Sequence, residues 1–301
     1  MPEIATLELS GKPVAERLFT ETSTHWKLEA KGVNSVPCLA SIAIGSDGPF
    51  RVYQRQQKRA AERMGMQFRE MILPEDSTNS SLREELRKLN DDPSVHGILL
   101  QHPLPRNMDF FSLASTISET KDVDGVGAVS LGRLTARRPI HVPAVALAAL
   151  DIMRYYRISP SGRRVVVLGR SETVGLPAAL LLLMKGEWGD ATVTVAHSLT
   201  KNLNDVVREG EIVVPCTGRP GIVNKDNVAG GATIVDIGIS TVPDPAKPGG
   251  VRVAGDADPA SLNGWAGALT PVPGGVGPVT VAELMKGTVM GWEIAIGKKS
   301  E

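Results

Sequence analysis

Along the chain the hydrophobic pattern switches between short continuous apolar runs and longer amphipathic stretches. Residues 165–168 (VVVL) are all apolar and mostly β-branched with no polar alternation, which is how a strand reads when both faces of a parallel sheet are covered. The same pattern predicts strands over 36–45, 95–101, 211–217 and 232–238, and 66–74 and 191–196 are further strand candidates. Helical spacing appears over 11–27, where Val14, Ala15, Leu18 and Phe19 recur, and over 50–65, where Tyr53, Ala60 and Met64 lie near one face and charge fills the other. Further helices are predicted over 79–89, with Ser77, Thr78 or Asn79 as the cap, and over 144–155, 176–184 and 281–296. Strand and helix alternate over 36–114 and again from 163 to 238, so the chain reads as an α/β protein of two βαβ domains. Two stretches break the alternation. GSDGP at 45–49 reads as a turn, and TPVPGGVGPVT at 270–280 as a stiff loop, because interleaved proline and glycine disfavour both helix and central strand.

Composition narrows the function classes. A chain of 301 residues suits about two domains, each with its own core. Its 33 basic and 33 acidic residues cancel, so no long-range field favours nucleic acid or an anionic membrane, and a ligand must be held locally. Neither a signal peptide nor a run of about 18 apolar residues is visible. Cys38 and Cys216 stand far apart and outside any C-x-x-C pair. That usage fits a reduced cytosolic protein without a disulfide framework or structural zinc.

The candidate chemistry begins at residues 163–184, where a buried strand runs into GRSETVG at 169–175 and then into good helix formers. Strand, glycine turn and helix in that order aim unpaired backbone N–H groups and the positive end of a helix dipole at one spot, where a pyrophosphate fits. The loop departs from the G-x-G-x-x-G fingerprint. Ser171 stands at its second glycine and Gly175 falls one residue late, so a purely structural turn also accounts for it. The next strand ends in His197 and Ser198 with no carboxylate to hold ribose hydroxyls. Arg170, Ser198 and His197 suit a 2′-phosphate instead, which favours NADP over NAD; the alternative is that His197 and Ser198 cap the following helix. Gln101 sits at the end of a predicted parallel strand, where α/β proteins gather their chemistry. On residues alone Tyr53 reads more readily as a core edge, and Asp124 as a turn residue, than as ligand contacts.

Taken together, KDVDG at 121–125, GILLQHPLP at 97–105, VVVLGRSETVGLPAALLL at 165–182, ATVTVAHSLT at 191–200 and TPVPGGVGPVT at 270–280 resemble the signature segments of the bifunctional methylenetetrahydrofolate dehydrogenase/methenyltetrahydrofolate cyclohydrolase family, in order and over the whole length. The resemblance implies an N-terminal α/β catalytic domain over 1–143, with the last helix at 281–301 packing back on it, and a Rossmann-like doubly wound parallel sheet over 144–280. It also implies a folate cleft between them, NADP as cofactor with no metal, a tetrahydrofolate substrate, a homodimer and a cytoplasmic role in one-carbon metabolism. Residue by residue it implies Tyr53, the Gln57 position, Gln101 and Asp124 as catalytic positions, and Phe50, Tyr53, Pro273, Gly274 and Gly275 as lining the folate. Gly169, Arg170, Ser171, Gly175, His197, Ser198 and Ile239 are implied as cofactor contacts.

The departures from the family pattern carry as much information. The family helix reads Tyr-Val-x-x-Lys-x-Lys, with the first lysine catalytic; here that position is Gln57, and Phe50 replaces a serine before the tyrosine. Near the hinge, Pro-Cys-Thr-Pro has become PAVA at 143–146. Lys58 is adjacent to Gln57, but one helical residue turns a side chain by about 100°. Hydride removal needs positioning and electrostatics. Ring opening by water needs general acid and base work, which a glutamine cannot supply. The sequence therefore predicts an NADP-dependent dehydrogenase with weak or no cyclohydrolase activity. Three alternatives stay open: a bifunctional enzyme with an altered site, a relative acting on a modified folate, and a non-catalytic folate or nucleotide binder.

Overall fold

The computed structural model describes residues 5–45, 50–244 and 250–298, so most of the expected turn at 45–49 lies outside the described residues. In chain order the elements begin with β1 (Leu7–Glu8), α1 (Gly11–Glu29), β2 (Cys38–Ile44), α2 (Phe50–Met64), β3 (Gln67–Leu73), α3 (Asn79–Asp91), β4 (Gly97–Leu100), α4 (Phe110–Ala114), α5 (Ala128–Thr135) and α6 (Ala144–Tyr155). They continue with β5 (Arg164–Leu168), α7 (Gly175–Leu182), β6 (Thr192–Ala196), α8 (Leu203–Arg208), β7 (Ile212–Pro215), β8 (Thr233–Ile234), β9 (Ser240–Pro243), β10 (Val251–Ala254), α9 (Pro259–Leu262), β11 (Ala268–Leu269) and α10 (Val276–Ala295). None of the helices among the described residues is long and apolar enough to cross a membrane.

The chain divides into two units. One gathers Glu16–Ala144 with the stretch from Val281 onward. Its sheet has the order β3-β2-β4, all parallel, with α2 and α3 as the crossovers. Every residue of β2 is buried, and the strand's alternation sends Leu39 into a core with Ala60, Ala61 and Met64 of α2, while Ala40 and Ile42 join Leu82 and Leu86 of α3. Helix α10 completes the first of these cores through Val281, Leu284, Met285, Val289 and Trp292, the last packed edge-on to Trp26 at 6.4 Å between ring centroids. Thr78 caps α3 and shares a reciprocal capping box with Ser81.

The other unit gathers the start of the chain through Ala15 with Val145–Thr280. Its six-stranded sheet runs β1-β11-β8-β7-β5-β6, with every neighbouring pair parallel. From β5 the chain crosses through α7 to β6 on one side, then through α8 to β7 on the other, so the carboxyl ends of β5 and β7 form a switch point of the kind where α/β sheets open a crevice. Two buried carboxylates tie the loops at this edge. Asp236 accepts the backbone N–H groups of Gly238 and Ala257, each at 2.8 Å. Asp256 accepts those of Thr217, Gly218 and Arg219 together with the Thr217 hydroxyl. Burial, aided by the nearby Asp256 carboxylate, pushes the Asp236 carboxyl up to about 7.

Two boundaries differ from the sequence reading. The assignment of 1–143 to one domain is corrected at its start, because Leu7 and Glu8 pair in parallel with Ala268 and Leu269 at the edge of the six-stranded sheet. A pair this short has no periodicity to read, and only the distant partner strand defines it. The loop expected over 270–280 ends early: α10 begins at Val276 rather than at residue 281. Pro278 is tolerated there because the N–H it lacks would have no intrahelical partner in the first turn.

Two outcomes follow for stability. In an ordinary helix Gly→Ala stabilises by about 1 kcal/mol, but a Cβ at Gly291 of α10 would lie 2.1 Å from the His96 carbonyl oxygen and 2.9 Å from that of Thr120. Gly291→Ala should therefore lower the urea midpoint, by a destabilisation of about 2–3 kcal/mol. The Asp236 carboxyl, raised to about 7 when folded and near 4 when unfolded, makes the native state bind more protons between those values. Its contribution to stability is thus present at low pH and lost as pH rises through about 7. Asp236→Asn should flatten that part of the curve of unfolding free energy against pH.

Candidate active site

In α2 the buried positions are Phe50, Gln54, Gln57, Ala60, Ala61 and Met64, one stripe at helical spacing. Two of its members are glutamines, so the helix sinks amide groups where the pattern elsewhere supplies aliphatic ones. Lys58, one position on, is exposed. Tyr53 is half-buried and packs on the edge of the aromatic and aliphatic core around Trp26 and Trp292.

Gln101 follows β4, and its backbone N–H donates to the Ile42 carbonyl at 2.8 Å, which places it at the carboxyl end of the sheet beside the central strand β2. This too is a switch point, since β3 and β4 flank β2 on opposite sides. The structure brings Gln57 and Gln101 into direct contact: Gln101 Nε2 donates to Gln57 Oε1 at 2.8 Å. Gln101 Nε2 also donates to Ser41 Oγ at 2.9 Å, and Gln54 Nε2 donates to the same oxygen at 3.0 Å. Ser41 and Gln57 are fully inaccessible, and Gln54 and Gln101 nearly so. One donor in this set is left over. Gln57 Nε2 is buried without a hydrogen-bond partner among the described residues, an arrangement that costs about 1–3 kcal/mol.

Asp124 lies just beyond a short parallel bridge between Ile98 of β4 and Asp122. It is half-buried, and burial together with the neighbouring Asp122 carboxylate pushes its carboxyl up to about 7. Asp122 is a supporting group. It is buried, accepts from the Gly127 N–H at 2.9 Å and the Ser130 hydroxyl at 2.6 Å, and burial raises its carboxyl as well. The turn reading of this segment also holds, since Gly125 has φ of +65° and its N–H bonds back to the Asp122 carbonyl.

Pro273, Gly274 and Gly275 belong to the other unit. Gly274 has φ of +107°, its carbonyl accepts from the Gly11 N–H at 2.8 Å, and a Cβ on Gly11 would come within 1.8 Å of the Gly275 oxygen. The loop is thus pinned by backbone contact that only glycine at position 11 permits.

At the switch point of this second sheet, Gly169 has φ of +132° and a Cβ there would meet Cys216 Sγ at 2.6 Å; one on Gly175 would meet the Gly169 oxygen at 2.4 Å. Between these glycines Arg170 and Ser171 are exposed. Leu168 pairs with Ala196, so Gly169–Arg170 and His197–Ser198 leave adjacent strands at one edge. His197 and Ser198 do not cap the next helix, whose N-cap is Asn202. Instead the His197 N–H donates to Thr200 Oγ1 at 2.9 Å and its Nδ1 accepts from the Leu199 N–H at 3.2 Å. Ile239, just past β8, is 67% exposed at the same edge. Burial and the Asp256 and Asp236 carboxylates push the Cys216 thiol up to about 12, so it is a packing group there.

Sequence reasoning missed Ser41, Gln54 and the pair Asp236 and Asp256. The first two had a visible signal: a serine inside the apolar run CLASIAI, and a glutamine three residues before Gln57 on one helix. For the two aspartates no local signal exists.

Comparison with known proteins agrees with this arrangement. The model of the tetrahydrofolate dehydrogenase/cyclohydrolase catalytic domain matches residues 9–124, and that of the NAD(P)-binding domain of the same family matches residues 143–296. The bifunctional protein FolD 1 of Saccharopolyspora erythraea is 42% identical over 286 residues, covering 95% of this chain and 94% of its own. Among solved structures, the Trypanosoma brucei methylenetetrahydrofolate dehydrogenase-cyclohydrolase, complexed with NADP and an inhibitor, is 36% identical with a TM-score of 0.90, over 98% of this chain and 99% of its own. The 5,10-methylenetetrahydrofolate dehydrogenase of the silkworm Bombyx mori is 35% identical with a TM-score of 0.88, over 97% and 99% of the two chains. With both domain models matched in order and relatives aligned over nearly the full length, the chain belongs to the tetrahydrofolate dehydrogenase/cyclohydrolase family.

Proposed function

We propose that this protein is an NADP-dependent methylenetetrahydrofolate dehydrogenase with little or no methenyltetrahydrofolate cyclohydrolase activity. The observation that carries the reading is the position of Gln57. It occupies the buried stripe of α2 where the family pattern has lysine, bonded to Gln101, while the neighbouring Lys58 is exposed on the other side of the helix.

The loop from Gly169 to Gly175 fits a dinucleotide phosphate. Two positions admit no side chain, Val174 at the N-cap of α7 offers no capping group, and the loop lies at a switch point. Arg170 and Ser198 would hold a 2′-phosphate, no acid at the end of β6 opposes it, and Ser171 would meet the diphosphate. The bound nicotinamide supplies the hydride acceptor. The chain's own residues orient the folate and place dipoles beside its one-carbon bridge, where hydride loss leaves a cation shared by two ring nitrogens. Asp124 is the candidate to orient the pterin. Ring opening by water demands a group that takes and returns a proton at the one-carbon bridge; neither Gln57 nor Gln101 changes protonation near neutral pH, and Asp124, whose carboxyl is pushed up to about 7, is assigned to the pterin rather than to the bridge.

Both half-reactions of the purified protein test it. The native protein should oxidise the methylene substrate and hydrolyse the methenyl form at a rate close to buffer alone, whereas Gln57→Lys should raise that hydrolysis by roughly 10²-fold or more. Brisk hydrolysis with Gln57 in place refutes the division of activities. Arg170→Ala should weaken NADP binding by about tenfold while changing NAD binding little, as isothermal titration would show, since a charge-assisted phosphate contact is worth about 1.5–3 kcal/mol.

A further inference from the structure

Ser41, at the centre of β2, is fully buried among apolar neighbours, yet its hydroxyl oxygen is where two side-chain amides meet. On one side Gln54 Nε2 donates to it at 3.0 Å. The orientation of Gln54 is fixed from behind: Arg51 Nη1 donates to Gln54 Oε1 at 3.1 Å and to Glu70 at 2.7 Å. A guanidinium only donates, so Gln54 must turn its carbonyl toward Arg51 and its amide nitrogen toward Ser41. On the other side Gln101 Nε2 donates to Ser41 at 2.9 Å and to Gln57 Oε1 at 2.8 Å. An amide nitrogen carries two hydrogens, and Gln101 has used both. What remains to offer a ligand is its carbonyl oxygen.

The terminal torsion of a glutamine is broad and roughly two-fold, so its partners, not its own energetics, choose which end faces outward. Here both partners of Gln101 Nε2 act as acceptors, Gln57 through its carbonyl oxygen and Ser41 through the hydroxyl oxygen that also accepts from Gln54, so the carbonyl of Gln101 is the end left over. We propose that Ser41 is a positioning residue for the reaction, its hydroxyl holding Gln101 with the amide carbonyl rather than the amide nitrogen presented to the folate. This rests on the dehydrogenase reading above. A carbonyl dipole with its negative end toward the one-carbon bridge stabilises the positive charge that grows there, and an inverted amide opposes it. No proton moves and no bond of Gln101 changes; the hydroxyl acts only through orientation. The serine, Gln54 and Gln57 thus form one unit with Gln101, a set of dipoles that favours a cation and itself carries no titratable group.

Ser41→Ala and Ser41→Thr separate the hydroxyl from the volume. In Ser41→Ala the kcat for methylene oxidation should fall about tenfold with KM within about twofold, while Ser41→Thr, which restores a hydroxyl, should return kcat to within about twofold of the native value. A Ser41→Ala protein with native kcat, or a Ser41→Thr protein as slow as Ser41→Ala, overturns the proposal. A second measurement needs neither variant to fold. The side-chain amide resonances of Gln101 in the ¹⁵N-labelled native protein, assigned by their loss in Gln101→Glu, should show both hydrogens protected from exchange with solvent; rapid exchange of either overturns the proposal. Native protein that keeps both hydrogens protected yet fails to oxidise the substrate overturns instead the functional reading, and with it the electrostatic role of the carbonyl.

Discussion

Strands that are parallel and covered on both faces impose the constraint on which everything else in this protein depends. Side chains of β2, β4 and β7, and of β5 beyond its first residue, have no solvent-facing side, so polar groups appear where these strands end or where they can pair with one another. Their backbones must be linked by crossovers rather than tight turns. Both units meet these demands in the same way: a central strand, β2 in one and β5 in the other, sends the chain first to one side and then to the other. The candidate residues Gln101, Gly169, Arg170, His197, Ser198 and Ile239 accordingly all follow the carboxyl ends of parallel strands.

Within the first unit, the exception to the apolar interior is itself orderly. Ser41, Gln54, Gln57 and Gln101 would each carry a penalty of about 1–3 kcal/mol if buried unpaired. They offset it by bonding to one another, with Arg51 and Glu70 closing the chain at its outer end. A network of amides and a hydroxyl supplies dipoles and shape but no proton carrier. Asp124, just beyond the bridge to β4, has its carboxyl pushed up to about 7 by burial and the Asp122 carboxylate. Such a network suits a reaction in which growing positive charge is accommodated by fixed dipoles.

The second unit is organised by close backbone approach. Gly169, Gly175, Gly11 and Gly275 sit where a single added carbon would overlap neighbouring atoms. Asp236 and Asp256 tie down other loops of this unit, accepting main-chain N–H groups from Thr217, Gly218, Arg219, Gly238 and Ala257. In the turn after β5, Gly169 packs against Cys216 and Gly175 against Gly169, and Arg170 and Ser171 between them are exposed.

Local pattern settled the element types, because a strand covered on both faces and a helix covered on one write different periods into the chain; 144–155 and 79–89 were legible to within two residues. The same local reading showed that Gln57 cannot be replaced by Lys58, since helix geometry alone separates their directions. What needed the tertiary structure were relations between distant segments. Nothing in Leu7–Glu8 points to Ala268–Leu269, nothing in Asp256 announces the loop at Thr217 to Arg219, and nothing in β2 says that Ser41 will stand between Gln54 and Gln101. Periodicity records how much of a side chain is hidden from water, and only the fold decides which other side chain it is hidden against.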